Sequence, residues 1–237
     1  MNGRQFGLIE NTMFQLSDSW KATYPNAHAG VLIMCGVRNP PHHAGLKELK
    51  TALEAELRAR YANQYRAIML KHPILQAYDA YYRKFDKTYH VQLQLESILF
   101  KGKSIPNIAA LVEAMFMAEV DNLLLTAGHD LDELHPPLTL DVAKGTESYT
   151  LLHGKPQNPK AGDMMIVDGK GIISSILYGP DDRTQISART KNVVFTVYAP
   201  EGVGTEAVTK HLQDIQRYAQ VIAPNATVEV LKVLGAE

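Results

Sequence analysis

The chain has 237 residues, 46% of them hydrophobic and 21% charged, with a formal net charge of −1 at pH 7. That balance is enough for a sizeable core and excludes a chain disordered throughout. No apolar stretch, Leu123–Leu125 included, comes near the roughly 18 residues a membrane span needs. No basic start followed by an apolar run reads as a signal peptide, and the single cysteine, Cys35, excludes an internal disulfide and a CxxC metal knuckle.

These features read as a cytoplasmic chain forming one compact α/β or α+β domain over residues 1–237. The charge is uneven along it. Residues 1–103 hold 14 Lys and Arg against 8 Asp and Glu, and residues 104–237 hold 10 against 17. A basic half offers a face to a polyanion unless folding interleaves the two halves.

The chain opens as strand, short helix, strand, with Ala29–Val37 an apolar strand that ends in the turn residues Asn39-Pro40-Pro41. Leu46, Leu49, Leu53, Leu57 and Tyr61 recur at spacings of three and four and predict a helix. A second helix is predicted to start at Pro73, where a missing N–H costs nothing, and to carry Ile74 through Phe85. Residues 90–100 fit both periods and are read as helix; residues 108–120 are helical. From Leu138 onward short apolar runs at 138–142, 149–152, 164–167 and 172–178, separated by Gly, Pro and Asp, predict sheet strands. The end reads as strand 193–198, helix 205–221 and strand 227–234, a crossover onto one sheet.

Several motifs carry candidate chemistry. Gly202-Val203-Gly204-Thr205-Glu206-Ala207 matches the dinucleotide pattern G-x-G-x-x-A, but it lies about 30 residues from the C-terminus, which favours a plain glycine turn and helix start. His42-His43 reads as a solvated loop. His129, Asp130, Asp132 and His135 form the densest group of ligand and acid–base side chains, an incomplete metal set, so no metal is expected. The same group also reads as a polar loop in which Gly128 ends a helix and Asp130 caps the next turn. Asp181-Asp182-Arg183-Thr184 and Arg189-Thr190-Lys191-Asn192 offer donors for phosphate or ribose, or form a solvated turn in which Asp181 and Asp182 partly cancel the positive charges. Arg83, Lys84, Lys87 and Tyr89 interleave cations with aromatics, which suits nucleic-acid contact and equally a solvated helix end. Ser174 and Ser175, without an evident partner, are not expected to act as nucleophiles.

The order of these pieces resembles the editing (B3/B4) module of the phenylalanyl-tRNA synthetase β subunit, and more closely its free-standing relatives. The resemblance runs from about Tyr78 to Tyr198. It is carried by Ile105-Pro106-Asn107, Gly128-His129-Asp130-Leu131-Asp132, Leu151-Leu152-His153-Gly154, Ile166-Val167-Asp168 and Thr190-Lys191-Asn192-Val193. It implies an α+β fold with a central mixed sheet flanked by helices, and a pocket that hydrolyses the ester of a mischarged aminoacyl-tRNA in trans. No synthetase catalytic domain is recognisable. The module's histidine, three residues before Asp-Leu-Asp, is Ala127 here, with His129 two positions on. Its Gly-Gly-Glu stretch corresponds to Tyr178-Gly179-Pro180-Asp181-Asp182, Asp182 lying closest to the glutamate.

The resulting expectations are His129, Asp130 and Asp182 in catalysis, Asp130 or Asp182 holding the ammonium and His129 orienting water. Tyr178, Arg183, Thr190 and Asn192 are expected at the substrate and tRNA end, and Arg83 and Lys87 on the tRNA backbone. The expected partner is tRNA rather than DNA or a membrane, with no cofactor and the oligomeric state open. Ala127 keeps a non-catalytic tRNA- or RNA-binding module of the same fold as the alternative, beside a protein that binds a free amino acid.

Overall fold

A computed structural model describes residues 13–62 and 66–235. Strand β1 (Phe14–Leu16) leads into α1 (Asp18–Thr23), whose N-cap Ser17 side chain accepts the Trp20 N–H at 2.9 Å. Next come β2 (His28–Cys35), α2 (Ala44–Arg60), α3 (Arg66–Met69), α4 (Pro73–Arg83), α5 (His90–Lys101) and α6 (Ala110–Asn122). His43, read as a solvated loop residue, caps α2 through its ring nitrogen, which accepts the Leu46 N–H at 3.3 Å. The ambiguous stretch at 90–100 is helical, and Gly102 ends it at φ 62°, a conformation that glycine adopts without strain.

Strand β3 (Leu125–Asp130) follows α6 directly, and a 3-10 turn spans Leu131–Glu133. Beyond it lie β4 (Leu138–Val142), β5 (Tyr149–Leu151), β6 (Lys155–Gln157), β7 (Met164–Asp168), β8 (Gly171–Ser175), β9 (Gly179–Pro180), β10 (Asn192–Ala199), α7 (Thr205–Ile222) and β11 (Thr227–Gly235). The Gly202–Ala207 motif forms a turn and the start of α7, with Gly204 as N-cap.

The architecture is α+β, and its strands divide between two principal sheets. One is four-stranded in the order β11-β2-β10-β3 with every neighbouring pair antiparallel. Because β10 and β11 both run opposite to β2, they are parallel to each other, and α7 is the crossover that joins them. Gly30 in β2 permits the close approach of α7, since a Cβ there would stand 2.6 Å from Val208 Cγ1. The other sheet has five strands in the order β1-β4-β7-β8-β9 and is mixed, β1 and β4 pairing in parallel. One hydrophobic core runs through both, from Val31, Ile33 and Phe195 in the first to Leu140, Ile166 and Ile173 in the second. A hydrogen bond of 2.6 Å between Ser174 Oγ and the Tyr198 hydroxyl crosses between them. Among the described residues no helix is long and apolar enough to cross a membrane.

Several first-half cations are paired, though among the described residues only Lys50 and Arg60 reach acids of the second half, Glu113 and Asp121. Arg58, Arg60, Arg66 and Arg83 pair with Glu54, Glu56, Glu96 and Asp79, and buried Lys50 pairs with Glu113 at 3.1 Å.

Candidate functional site

Strand β3 is an edge strand with all six residues buried. A bare edge leaves a row of backbone groups unpaired. Here the segment 181–190 covers it. His129 and Gln185 form an antiparallel bridge, and the Asp130 N–H donates to the Thr184 carbonyl at 2.8 Å. Gly128 belongs to this strand, whereas the sequence reading made it a helix C-cap; Leu123, at φ 64°, takes that place.

The covering segment brings a chain of polar groups onto the end of β3. The Thr184 hydroxyl donates to an Asp181 carboxylate oxygen, and the Thr184 N–H reaches the same oxygen at 3.1 Å. His129 Nδ1 stands 2.7 Å from the Thr184 oxygen. With that hydroxyl proton committed to Asp181, Nδ1 must carry the ring proton and Nε2 the lone pair. His129 Nε2 is buried without a hydrogen-bond partner. Burial, helped by the nearby Arg183 charge, pushes the imidazole pKa down to about 3, so the ring is neutral at physiological pH. Burial pushes the Asp181 carboxyl up.

Arg183 closes the cluster from outside. Its two terminal nitrogens donate to the two Asp168 oxygens at 2.9 Å each, and one also reaches the Glu133 carbonyl at 3.1 Å. Burial alone would raise the Asp168 pKa, but Arg183 and the N–H groups of Lys170 and His135 outweigh it and hold the carboxyl below its usual range. On the other flank, Asp130 accepts the Asp132 N–H at 3.1 Å and the Thr190 hydroxyl at 2.6 Å. Asn192 donates to the two Asp132 oxygens at 2.9 and 3.0 Å.

The structure therefore gathers His129, Asp130, Arg183 and Thr190, with Asn192 at the rim. It does not bring Asp182 to them. That side chain is exposed and accepts from its own loop neighbour Gln185 at 2.9 Å. Asp181, which sequence reasoning passed over, holds the inner position. An aspartate three residues before a threonine, able to take its N–H and close a local turn, was the available signal. Asp130 caps the 3-10 turn, as its alternative reading had it. Among the described residues no three His, Cys, Asp or Glu side chains are gathered so as to hold a metal ion.

Tyr178 belongs to a second cluster. Its N–H donates to Ser175 Oγ at 3.2 Å, the Tyr149 hydroxyl is 3.3 Å from the same oxygen, and Lys87 Nζ lies 4.5 Å from the centre of the Tyr178 ring. Both serines thus have partners. Behind Ser175 lies Asp163, fully buried, with one oxygen taking the Tyr81 hydroxyl at 2.8 Å and the other without a partner. Burial pushes its pKa up to about 7. Arg83 stands exposed at the end of α4, paired with Asp79 at 2.9 Å.

A family model for the B3/4 domain matches residues 75–235, more than half of the chain and the whole of both clusters. The chain belongs to the B3/4 domain family. Of solved structures, this B3/4 chain is similar to an N-terminal fragment of the phenylalanyl-tRNA synthetase β-subunit from Pyrococcus horikoshii. The two share 12% identity over 92% of this chain and 50% of the fragment, with a TM-score of 0.49. The B3/4 chain thus spans about half the length of that fragment. A search among curated proteins returns no significant match.

Proposed function

We propose that this B3/4 domain acts on aminoacyl-tRNA as a trans-acting ester hydrolase that removes a mismatched amino acid. The observation carrying this reading is the Asp181–Thr184–His129 chain, which ends in a ring nitrogen with a free lone pair. In the reaction water adds to the ester carbonyl, the bond to the terminal ribose oxygen breaks, and free amino acid and a ribose hydroxyl leave. His129 Nε2 orients the water as hydrogen-bond acceptor. Asp181, in the place first given to Asp182, holds the ammonium, with Asp130 supporting Thr190 beside it. Arg183, Thr190 and Asn192 contact the terminal nucleotide. Entry requires the 181–190 segment to lift from β3, because His129 is fully buried when it is down. A second hydrolytic sieve is useful because a pocket separates similar side chains by only about 1–3 kcal/mol.

The test is deacylation of a panel of purified mischarged tRNAs, tyrosine on phenylalanine tRNA included, with wild type, His129→Gln and Asp181→Asn. Acceleration of one pair by wild type, lost in both variants, supports the reading. A second reading, an RNA-binding domain without turnover, draws on the same enclosure of His129 and on Ala127. tRNA binding with no acceleration across the panel would select it.

A further inference from the structure

A cleft of about 470 Å3 opens between α3, α4 and the start of α5. Arg66, Arg83 and Lys87 line it, with Gln76, Thr88 and Gln92 between them and Leu70 and Leu75 on its wall. Its one acidic lining residue is Asp79, which takes Arg83 Nε at 2.9 Å and leaves the two terminal nitrogens of that guanidinium able to donate elsewhere. Arg66 gives one edge to Glu96 at 2.8 Å, and its side chain is 55% exposed.

Lys87 forms no ion pair among the described residues. The turn before it is held by Asp86 at φ 55°, a left-handed conformation uncommon for a residue with a side chain. The turn folds back so that the Lys87 N–H reaches the Tyr82 carbonyl at 3.2 Å. The ammonium, a wall of the cleft, thereby rests 4.5 Å from the centre of the half-buried Tyr178 ring. Converging cations, neutral amide and hydroxyl donors and an adjacent aromatic face together suit a nucleic-acid strand: the cations take a phosphate and the ring takes a base. A membrane surface supplies phosphate but nothing to stack.

We propose that this cleft seats a backbone phosphate of a single RNA strand on Arg66, Arg83 and Lys87, and that Tyr178 stacks the neighbouring base. Lys87 leaves the ring for the phosphate as the base arrives. The choice of RNA rests on the proposed function; the phosphate and stacking roles rest on the cleft.

The experiment measures binding of a fluorescent uncharged RNA oligonucleotide to the full chain across a salt series, with DNA of the same sequence and anionic phosphatidylserine vesicles as competitors. Arg83→Gln and Lys87→Gln should each weaken binding on the order of tenfold and make the salt slope shallower by about 0.7, the value for one lost single-strand phosphate contact. Tyr178→Leu should weaken binding by a similar factor with the slope unchanged, because stacking releases no counterions. Lys21→Gln on α1 is the surface control and should change neither. Equal affinity and slope in wild type and all cleft variants, no RNA binding by wild type at about 50 mM salt, or vesicles displacing RNA more effectively than DNA does, would overturn the proposal. The probe has no ester, so the outcome separates from catalysis. A chain that binds RNA through the cleft yet deacylates nothing upholds the cleft and loses the hydrolase. A chain that deacylates a mischarged tRNA while all its cleft variants bind the RNA probe as wild type does keeps the hydrolase and loses the cleft.

Discussion

Arg183 and Asp168 face each other through two parallel hydrogen bonds of 2.9 Å, the arginine side chain 30% exposed and the carboxylate fully buried. This fork joins the 181–190 segment to the end of β7, and so to the five-stranded sheet, while the backbone of the same segment pairs with β3 of the four-stranded sheet. One loop thus pins the two sheets together beside His129. Arg183→Gln should lower stability by about 2 kcal/mol, less than the 3–5 typical of a fully buried pair because the guanidinium is partly solvated and Asp168 keeps two N–H donors. Because the folded-state pKa of Asp168 is depressed, its contribution is present at neutral pH and lost as pH falls through that value. The deficit should therefore shrink in acid. Urea unfolding at pH 7 and pH 3 measures it, and a deficit that grows in acid would count against the assignment.

Four buried groups tilt the pH dependence of stability in opposite directions. His129 and His211 are both pushed down to about 3 by burial. Each stays neutral in the fold while the unfolded chain takes up a proton below about 6.5, so stability present above that pH drains away as pH falls. Asp163 and Glu119 are pushed up to about 7 and about 8 by burial. Each keeps its proton in the fold after the unfolded chain has lost it, so stability present at low pH is lost as pH rises through those values. His211→Gln should therefore shift relative stability toward pH 5, and Asp163→Asn toward pH 8, each on the order of 2 kcal/mol when the two pH values are compared within one variant. Urea midpoints at pH 5 and 8 decide it. A shift of the same sign in both variants would refute the account.

The periodic elements were legible in the sequence because their signal is local. Leu46, Leu53 and Leu57 do line the buried face of α2, and Pro73 does open α4. Strand β3 was not legible, since Thr126-Ala127-Gly128 lacks the β-branched run of its partner β10, and small residues next to an apolar helix read as its end. Pairing with Val193 through Tyr198 supplies what local propensity lacks. The α+β architecture with a mixed sheet expected from the resemblance is present, but the way its strands divide between sheets is made by contacts between distant strands that no local pattern records. At the site, residue types pointed to His129, Asp130 and Thr190, but the choice between adjacent Asp181 and Asp182 depends on which way one turn faces.

Gly128 shows why a residue that looks like a helix stop sits within a strand. A Cβ there would stand 2.7 Å from Ile186 Cδ1 and 3.2 Å from the Phe195 ring. The Ile186 contact is the far end of a flexible side chain and can move; the ring is held in the core. Gly128→Ala should cost about 1 kcal/mol and Gly128→Val about 3, with the 181–190 segment loosened first because Ile186 belongs to it. Hydrogen exchange at the Asp130 amide, which bonds to Thr184 across that gap, reports the loosening. Faster exchange throughout β10 with none at Asp130 would show that the crowding is relieved elsewhere.

Asp181 and Asp182 are adjacent, alike in chemistry and opposite in surroundings, which makes them the sharpest pair to compare. Asp182→Asn alters an exposed side chain bonded only within its own loop and should leave stability within about 0.5 kcal/mol. Asp181→Asn keeps an oxygen that can accept from Thr184 but removes the negative charge 3.5 Å from Arg183 Nε. The fold should survive it with a loss of about 1 kcal/mol. On the substrate that wild type deacylates, Asp181→Asn should lower kcat/KM about a hundredfold, the loss of an ammonium's charged partner, while Asp182→Asn stays within about twofold. The carboxylate should matter through binding, so most of the loss belongs in KM rather than kcat. If Asp182→Asn proves the slower enzyme at equal stability, the amino acid is held on the outer face of this turn, and the buried Asp181–Thr184–His129 chain serves only to fasten the segment to β3.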